Sequence, residues 1–270
     1  MKYILISIVA LILSIGIPCL VVFLINRKHK LKAWVNAVII VPSSLALLLS
    51  SVLIYLSVYY GATNEAKAYL EGDASVSVTY ERGAYHFDYQ ESDETAVIFY
   101  GGAKVEATAY APICSEVAHL GVDVYLMDLP FRFALLGMNS ADEIAKLGRH
   151  ESLYMMGHSL GGTVASQYLA KTSYSFKGII FLASYPSKKI DDSLKALSLY
   201  GSNDLVMNKD AYEKAKPLLP KDYKEVVIEG GNHGDFGDYG FQDGDGESSI
   251  GKKAQLERAK TEIQSFLFED

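Results

Sequence analysis

The stretch "SLYMMGHSLGGTVASQYL", residues 152–169, determines how the rest of this sequence is interpreted. An apolar run is interrupted by Gly-His-Ser-Leu-Gly-Gly, and the chain continues at once with small and apolar residues that favour a helix. This order is typical of a buried strand, a sharp turn and a helix. The turn matches G-x-S-x-G at Gly157, Ser159 and Gly161, a motif in which the serine oxygen projects above the edge of a sheet. Ser159 is therefore a candidate nucleophile.

The sequence around this stretch alternates between strand and helix patterns. "SVSVTYE" and "AYHFDY" predict an opening hairpin, and the continuous apolar run "TAVIFY" (95–100) predicts a strand buried on both faces. Strands and helices then take turns as far as a last helix at about 249–268. This order predicts an α/β domain over 76–270, with a mostly parallel central sheet flanked by helices, after a short polar connector at 61–75.

A serine nucleophile needs a histidine base, and in this architecture the chain order is serine, acid, histidine. Only one of the six histidines, His233, follows the Ser159 turn. It lies in the glycine-rich segment "GGNHGDFG", after a predicted strand and before the last helix. His233 is the candidate general base, and the alternative is an ordinary solvent-exposed loop histidine.

The acid that orients this histidine is expected after the strand that precedes it. The apolar run "ALSLY" ends at Tyr200, and Asp204 follows it in a turn. A buried carboxylate at Asp204 would accept the imidazole N–H and stabilise the imidazolium. The alternative is a plain turn residue, in which case Asp191 or Asp192, one strand earlier, is the candidate acid.

Two backbone N–H groups are expected to bind the oxyanion that forms during acyl transfer. One is that of Leu160, directly after the nucleophile, and the other is predicted at Ala103, with Gly102 or Lys104 as the next choices. In the segment after the fourth predicted strand, apolar side chains either line an acyl pocket or pack against the sheet. These substrate-pocket candidates are Phe131, Phe133 and Leu135.

Residues 1–60 have the composition of a membrane segment. They contain no Asp or Glu, and the runs 4–25 and 35–60 are uncharged and long enough to cross a bilayer as helices. The alternative for the first run is a cleaved signal peptide. We expect a two-helix membrane anchor over 1–60.

Charge predicts how this anchor is oriented. The link "NRKHKLK" (26–32) carries four Lys or Arg residues, which favours the cytoplasmic side. Both ends of the anchor then face outward, so we expect a multi-pass protein of the cell membrane with its soluble domain outside the cytoplasm.

The soluble part of the chain is acidic. Five of the 25 Lys and Arg residues lie in 1–60, which leaves 20 against 32 Asp and Glu in the remainder. A domain with this charge is not expected to bind nucleic acid. The segment "DGDGE" (243–247) lacks the ligand spacing of a calcium loop, so the sequence predicts no metal and no cofactor.

From about residue 96 to the C-terminus, the sequence resembles the alpha/beta-hydrolase superfamily, and more closely the fold-five branch of dienelactone-hydrolase-like proteins, many of which are membrane-anchored. The resemblance is carried by "GAKVEATAYAP", "DLPFRFALLGMNSADEI", "GHSLGG", "FLASYPS", "YGSNDLV" and "IEGGNHGDFGDYGFQDGDG". It implies the alpha/beta-hydrolase fold and serine hydrolysis with Ser159, Asp204 and His233 as the triad.

The function predicted from these observations is that of a membrane-anchored serine hydrolase acting on an ester-type bond. Its substrate would be a small-molecule or lipid ester, either a carboxylester or a thioester. Two alternatives stay open. The first is an acyltransferase, which would use the same triad. The second is a non-catalytic binding module built on a hydrolase fold.

Overall fold

The computed structural model describes residues 2–90 and 94–269, so Met1, 91–93 and Asp270, which the predicted domain bounds include, lie outside the described residues. The chain divides into two compact units, Met1–Val58 and Tyr59–Asp270.

The first unit is a pair of long helices, α1 (Lys2–His29) and α2 (Ala33–Ser57). Both are long and apolar enough to cross a membrane, judged by length and composition. Large apolar side chains along both helices are exposed, among them Ile12, Phe23 and Ile54. Such exposure is unfavourable in water and is compatible with a lipid environment. Because α1 continues to His29, most of the predicted basic link is helical, and only residues 30–32 lie between the helices.

The second unit contains an eight-stranded sheet with helices on both faces. Its strands follow in the order β1-β2-β4-β3-β5-β6-β7-β8; β1–β2 and β2–β4 are antiparallel pairs, and the remaining pairs are parallel. The prediction of a mostly parallel sheet flanked by helices is therefore confirmed. The strands are β1 (Val76–Glu81), β2 (Ala84–Tyr89), β3 (Thr95–Tyr100), β4 (Asp123–Met127), β5 (Ser152–His158), β6 (Gly178–Leu182), β7 (Lys195–Gly201) and β8 (Asp222–Ile228). The helices of this unit are α3 (Asn64–Ala68), α4 (Ala111–Ala118), α5 (Asp142–Ala145), α6 (Leu160–Leu169), α7 (Lys209–Ala215) and α8 (Gly251–Phe268).

Two apolar cores lie on the two faces of this sheet. Strand β3 contributes to both, since successive side chains of a strand point to opposite faces. Val97 and Phe99 join the core that includes α4 and α8, whereas Ile98 and Tyr100 join the core that includes α6. A continuous apolar run such as "TAVIFY" is therefore what a central strand of this sheet requires.

The segment 61–75, predicted to be a connector, contains α3 in the structure. Ala66 of this helix is fully buried, and the Thr63 hydroxyl caps its amino end by accepting the Ala66 N–H. Just before it, the Tyr60 N–H donates to the Lys104 carbonyl at 2.7 Å, and the Glu106 N–H donates to the Tyr60 carbonyl at 2.9 Å. These contacts join the start of the second unit to the loop after β3.

Candidate active site

The turn between β5 and α6 has the strained backbone of a nucleophile elbow. Ser159 has φ 53° and ψ −125°, a region that residues other than glycine rarely adopt. The surrounding structure holds this geometry at both ends of the residue. The Ser159 N–H donates to the Leu182 carbonyl at 3.0 Å, and the Ser184 hydroxyl donates to the Ser159 carbonyl at 2.6 Å. The strain is thus maintained by the end of β6 and the residues after it.

The glycines of this turn are required by close packing of the backbone. A Cβ at Gly157 would lie 2.5 Å from the Gly162 Cα, and one at Gly161 would lie 2.5 Å from the Gly101 carbonyl oxygen. None of these turn glycines has a positive φ. Their role is to let α6 begin directly against the ends of β3 and β5, while the unusual φ falls on Ser159 itself.

Asp204 and His233 form a buried pair beyond the carboxyl ends of β7 and β8. Each residue is about 1% exposed, and Asp204 Oδ2 lies 2.9 Å from His233 Nδ1. The other carboxylate oxygen, Oδ1, accepts the N–H groups of Val206 and Met207 at 2.8 Å each. A carboxylate held in this way acts only as an acceptor, so His233 donates to it through Nδ1–H.

The two alternative acids bond elsewhere. Asp191 Oδ1 accepts the Ser193 N–H at 2.8 Å, and Asp192 pairs with Lys189 at 3.0 Å. These contacts, led by the Ser193 N–H for Asp191 and by Lys189 for Asp192, lower the pKa of each carboxyl. Both residues are exposed, whereas the pairing with His233 belongs to Asp204.

The second nitrogen of His233 faces no acceptor or donor in the described part of the chain. Its Nε2 atom is buried and makes no hydrogen bond, and no hydrogen bond joins it to the Ser159 hydroxyl. The His233 ring lies beside the residue that precedes Ser159, since the ring centroids of His158 and His233 are 4.7 Å apart. Catalytic hydrogen bonds are often open in the substrate-free state and form when the reacting groups are assembled. A buried imidazole nitrogen that makes no hydrogen bond and lies next to the elbow has the position expected of a general base.

The loop after β3 offers one N–H group for an oxyanion. The Gly102 N–H donates to the Tyr110 hydroxyl at 2.9 Å, and the Lys104 N–H donates to the Arg132 carbonyl at 2.8 Å. The Ala103 N–H, between them, has no acceptor among the described residues. The Leu160 N–H is likewise without one, since Leu160 is the first residue of α6. These two N–H groups are the ones predicted for the oxyanion.

A buried network that the sequence analysis did not anticipate joins the three loops of the site. His158 Nε2 lies 3.0 Å from the His233 carbonyl oxygen, and His158 Nδ1 lies 2.8 Å from the Tyr110 hydroxyl. A carbonyl only accepts, so His158 Nε2 carries the proton. Burial, together with the nearby His233, lowers the pKa of His158 well below its usual value, so the ring is neutral and Nδ1 accepts from Tyr110. The Tyr110 oxygen in turn accepts the Gly102 N–H.

This network connects the oxyanion loop, the elbow and the His233 loop through Tyr110 and His158. His158 was visible in the sequence only as the variable residue of the turn, and Tyr110 carries no local motif. The pairing joins residues 48 positions apart in the chain, so only the folded arrangement reveals it.

The predicted pocket residues lie on the surface segment after β4. Phe131 and Leu135 are exposed, and Phe133 is half-buried. The backbone there is unusual, since Phe131 has φ 53° and Arg132 has φ 56°. Through the Lys104 N–H bond to the Arg132 carbonyl, this segment also holds the oxyanion loop.

The acidic loop after His233 uses a carboxylate to organise its own backbone. Asp245 accepts the Gly234 N–H at 2.8 Å through Oδ2, and the Gly246 N–H at 2.8 Å through Oδ1. Asp238 pairs with Lys252. The loop that carries His233 is therefore held by side-chain to backbone hydrogen bonds.

The family model of the alpha/beta hydrolase family matches residues 96–257 of this chain. The chain belongs to the alpha/beta hydrolase family. The matched range covers more than half of the chain and includes Ser159, Asp204 and His233. The resemblance to the alpha/beta-hydrolase superfamily is confirmed, and the family supports an ester-hydrolysing function.

Solved structures share the fold of this alpha/beta hydrolase. A CIB-like hydrolase from Thermoplasma acidophilum superposes with a TM-score of 0.53 at 15% identity, over 70% of this chain and 99% of that chain. A thermophilic esterase from Thermogutta terrifontis gives a TM-score of 0.51 at 12% identity, over 72% of this chain and 93% of that chain. At these identities the likeness is one of fold. No curated protein matches the sequence.

Proposed function

We propose that this alpha/beta hydrolase is a membrane-anchored serine hydrolase that cleaves an ester-type bond through Ser159, His233 and Asp204. The observation that carries the proposal is the buried Asp204–His233 pair, whose Nε2 is unpartnered among the described residues and whose ring lies beside the residue that precedes Ser159. The family assignment supports ester hydrolysis.

In the proposed reaction, His233 Nε2 removes the proton from the Ser159 hydroxyl as the serine oxygen attacks the ester carbonyl. The N–H groups of Leu160 and Ala103 bind the developing oxyanion. His233 then protonates the leaving alcohol or thiol, and an acyl-enzyme remains on Ser159. Water, deprotonated by His233, attacks the acyl group; the bond to Ser159 then breaks as His233 returns the proton to the serine oxygen, and the acid is released. Asp204 stabilises the imidazolium in both halves of the reaction.

A fluorophosphonate probe tests the nucleophile directly, because it labels activated serines. The full-length protein in detergent should be labelled, and Ser159→Ala should abolish both labelling and hydrolysis of p-nitrophenyl esters, a rate loss on the order of 10⁶-fold. Ser193→Ala, which changes an exposed serine, is the matched control and should keep both. Labelling of Ser159→Ala at the wild-type level would refute the assignment.

The same assay separates the alternative functions. An acyltransferase would be labelled at Ser159 but would form an ester with an added acceptor alcohol in preference to free acid. A binding module would show neither labelling nor turnover with p-nitrophenyl esters of any chain length. Comparing short and long acyl chains measures whether the apolar side chains after β4 favour a lipid-like ester.

We further propose that α1 and α2 cross the cell membrane with the catalytic domain outside the cytoplasm. The support is the length and apolar character of both helices and the four positive charges within 26–32. Protease added to intact cells should then cleave the domain after Tyr60. Cleavage only after permeabilisation would show the opposite orientation. Replacing Arg27, Lys28, Lys30 and Lys32 with neutral residues should give a mixture of both membrane orientations.

A further inference from the structure

A cluster of potential metal ligands, two of them buried and one half-buried, lies on β2 and β4, away from Ser159. His86 and Asp88 are on β2, and Asp123 is the first residue of β4. One donor atom from each of the three lies within 4.8 Å of the others. Asp123 stands at the amino end of a parallel strand, whereas Ser159 follows the carboxyl end of one. The cluster therefore has no part in the proposed hydrolysis.

The strand register brings these side chains to one face. His86 pairs with Tyr125 and Phe87 pairs with Val124 in the antiparallel β2–β4 ladder. The next step along the ladder sets Asp88 opposite Asp123. Since alternate residues of a strand share a face, His86 and Asp88 lie on the face of Asp123. The side chains of His86 and Asp123 are at least nine-tenths buried, at 7% and 3% exposure.

One pair of donor atoms is close to the spacing of metal ligands. His86 Nε2 lies 3.1 Å from Asp123 Oδ2. In a tetrahedral zinc site with bonds of about 2.0–2.1 Å, ligand atoms are about 3.3 Å apart. The second oxygen of Asp123, Oδ1, accepts the Tyr89 N–H at 3.0 Å, which holds the carboxylate with Oδ2 toward His86. A donor atom of Asp88 lies within 4.8 Å of both.

The surroundings of His86 restrict the orientation of its ring. The ring stacks on Tyr125 with centroids 4.1 Å apart and planes 10° apart. Glu81 Oε1 lies 3.3 Å from His86 Nδ1 but makes no hydrogen bond to it. The ring therefore presents Nε2 toward Asp123.

The charge of the cluster favours a divalent cation. Glu81, Asp88 and Asp123 bring three carboxylates, and Arg149 lies 3.7 Å from Glu81 as a compensating cation. His150 also lies near, with its Nε2 3.9 Å from Asp123 Oδ2. Arg149 faces only Glu81, so a divalent ion would offset the charge of the Asp88 and Asp123 carboxylates. A donor set of one imidazole and two carboxylates suits zinc better than calcium or magnesium, which prefer oxygen ligands alone.

We propose that His86, Asp88 and Asp123 bind a zinc ion that fastens the β1–β2 hairpin to the parallel part of the sheet. The ladder between β2 and β4 has four residue pairs. An ion bridging both strands next to that ladder stabilises the folded state by its binding free energy, because Asp123 is far from His86 and Asp88 in the unfolded chain. A water molecule completes the tetrahedral coordination.

The test is zinc binding by the full-length protein in detergent. After equilibration with zinc and removal of free metal, elemental analysis should give about one zinc per chain. The Tm should rise by about 5–10 °C at a hundredfold excess of zinc over its Kd, relative to protein treated with a chelator. A wild-type protein that retains no zinc, with a Tm indifferent to chelator, would overturn the proposal.

Variants separate a metal site from an ordinary histidine–aspartate ion pair. Asp88→Asn should lose the zinc and its Tm shift, because it removes one of the three ligands. The control is His119→Gln, since His119 pairs with Asp73 at 2.9 Å at an exposed position and should leave the stoichiometry unchanged. Zinc binding equal to wild type in Asp88→Asn would refute the site. Ser159→Ala should bind zinc normally, so this outcome is independent of the proposed hydrolase activity.

Discussion

Removing the Tyr110 hydroxyl should uncouple the three loops of the candidate active site. In Tyr110→Phe, two buried groups lose their partner at once, the Gly102 N–H and His158 Nδ1. Each unsatisfied buried group costs about 1–3 kcal/mol, and the ring itself still fits, so we expect a loss of about 2–4 kcal/mol in the free energy of unfolding. Urea denaturation followed by circular dichroism measures this loss.

The activity of Tyr110→Phe should fall by more than its stability explains. Gly102 directly precedes Ala103, so release of the Gly102 N–H lets the oxyanion loop move. Loss of a complete oxyanion donor costs about 10²–10³-fold in kcat, and a displaced donor should cost about 10–100-fold, with little change in KM. Initial rates with p-nitrophenyl butyrate, measured where each variant is fully folded, give this number.

Tyr100→Phe is the matched control for this experiment. The Tyr100 hydroxyl also makes two hydrogen bonds in a buried position, donating to the Met138 carbonyl at 2.8 Å and accepting the Ala141 N–H at 2.9 Å. Its loss should destabilise the protein to a similar degree while kcat stays within about threefold of wild type. Equal kcat in the two variants would show that the Tyr110 network stabilises the fold without positioning the site.

Three further predictions concern the elbow, the acid and pH. In Asp204→Asn, the side-chain oxygen should still accept the N–H groups of Val206 and Met207, so the amide NH₂ faces His233 and forces the wrong tautomer. The kcat should fall about 10⁴-fold, and a loss under tenfold would contradict this. Gly161→Ala puts a Cβ 2.5 Å from a backbone carbonyl and should cost more than about 3 kcal/mol in unfolding free energy, whereas Gly61→Ala, with its nearest neighbour at 3.6 Å, should stay within about 0.5 kcal/mol. Because burial lowers the pKa of His158, the unfolded chain binds a proton that the folded chain does not, so the unfolding free energy should fall as the pH decreases below about 6.5. In His158→Gln, this fall should be smaller by up to about 1.4 kcal/mol per pH unit, and an unchanged slope in denaturation series from pH 7 to 5 would refute it.

The sequence alone was sufficient to predict the α/β fold and the order of its strands and helices along the chain. Parallel strands buried on both faces must be continuous apolar runs, so "TAVIFY" and "SLYMMGH" are recognisable without a structure. In the turn after the second run, a Cβ at Gly157 or Gly161 would clash with neighbouring backbone atoms. Both positions therefore require glycine, and the two glycines are recognisable in the sequence. The nucleophile and base candidates, Ser159 and His233, followed from that pattern and from chain order. Patterns of this kind can be recognised in a sequence because the structural requirement falls on residues that are adjacent in the chain.

Only the tertiary structure decided which groups meet across long separations in the chain. The Gly102 and Lys104 N–H groups are already bonded, to Tyr110 and to Arg132, and both partners come from other segments of the chain. The pairing of His86 with Asp123, 37 positions apart, depends on the register of β2 against β4, which no local motif encodes. A buried polar side chain is defined by its partners, and those partners are brought together by strand order and packing, so their arrangement appears only once the chain is folded.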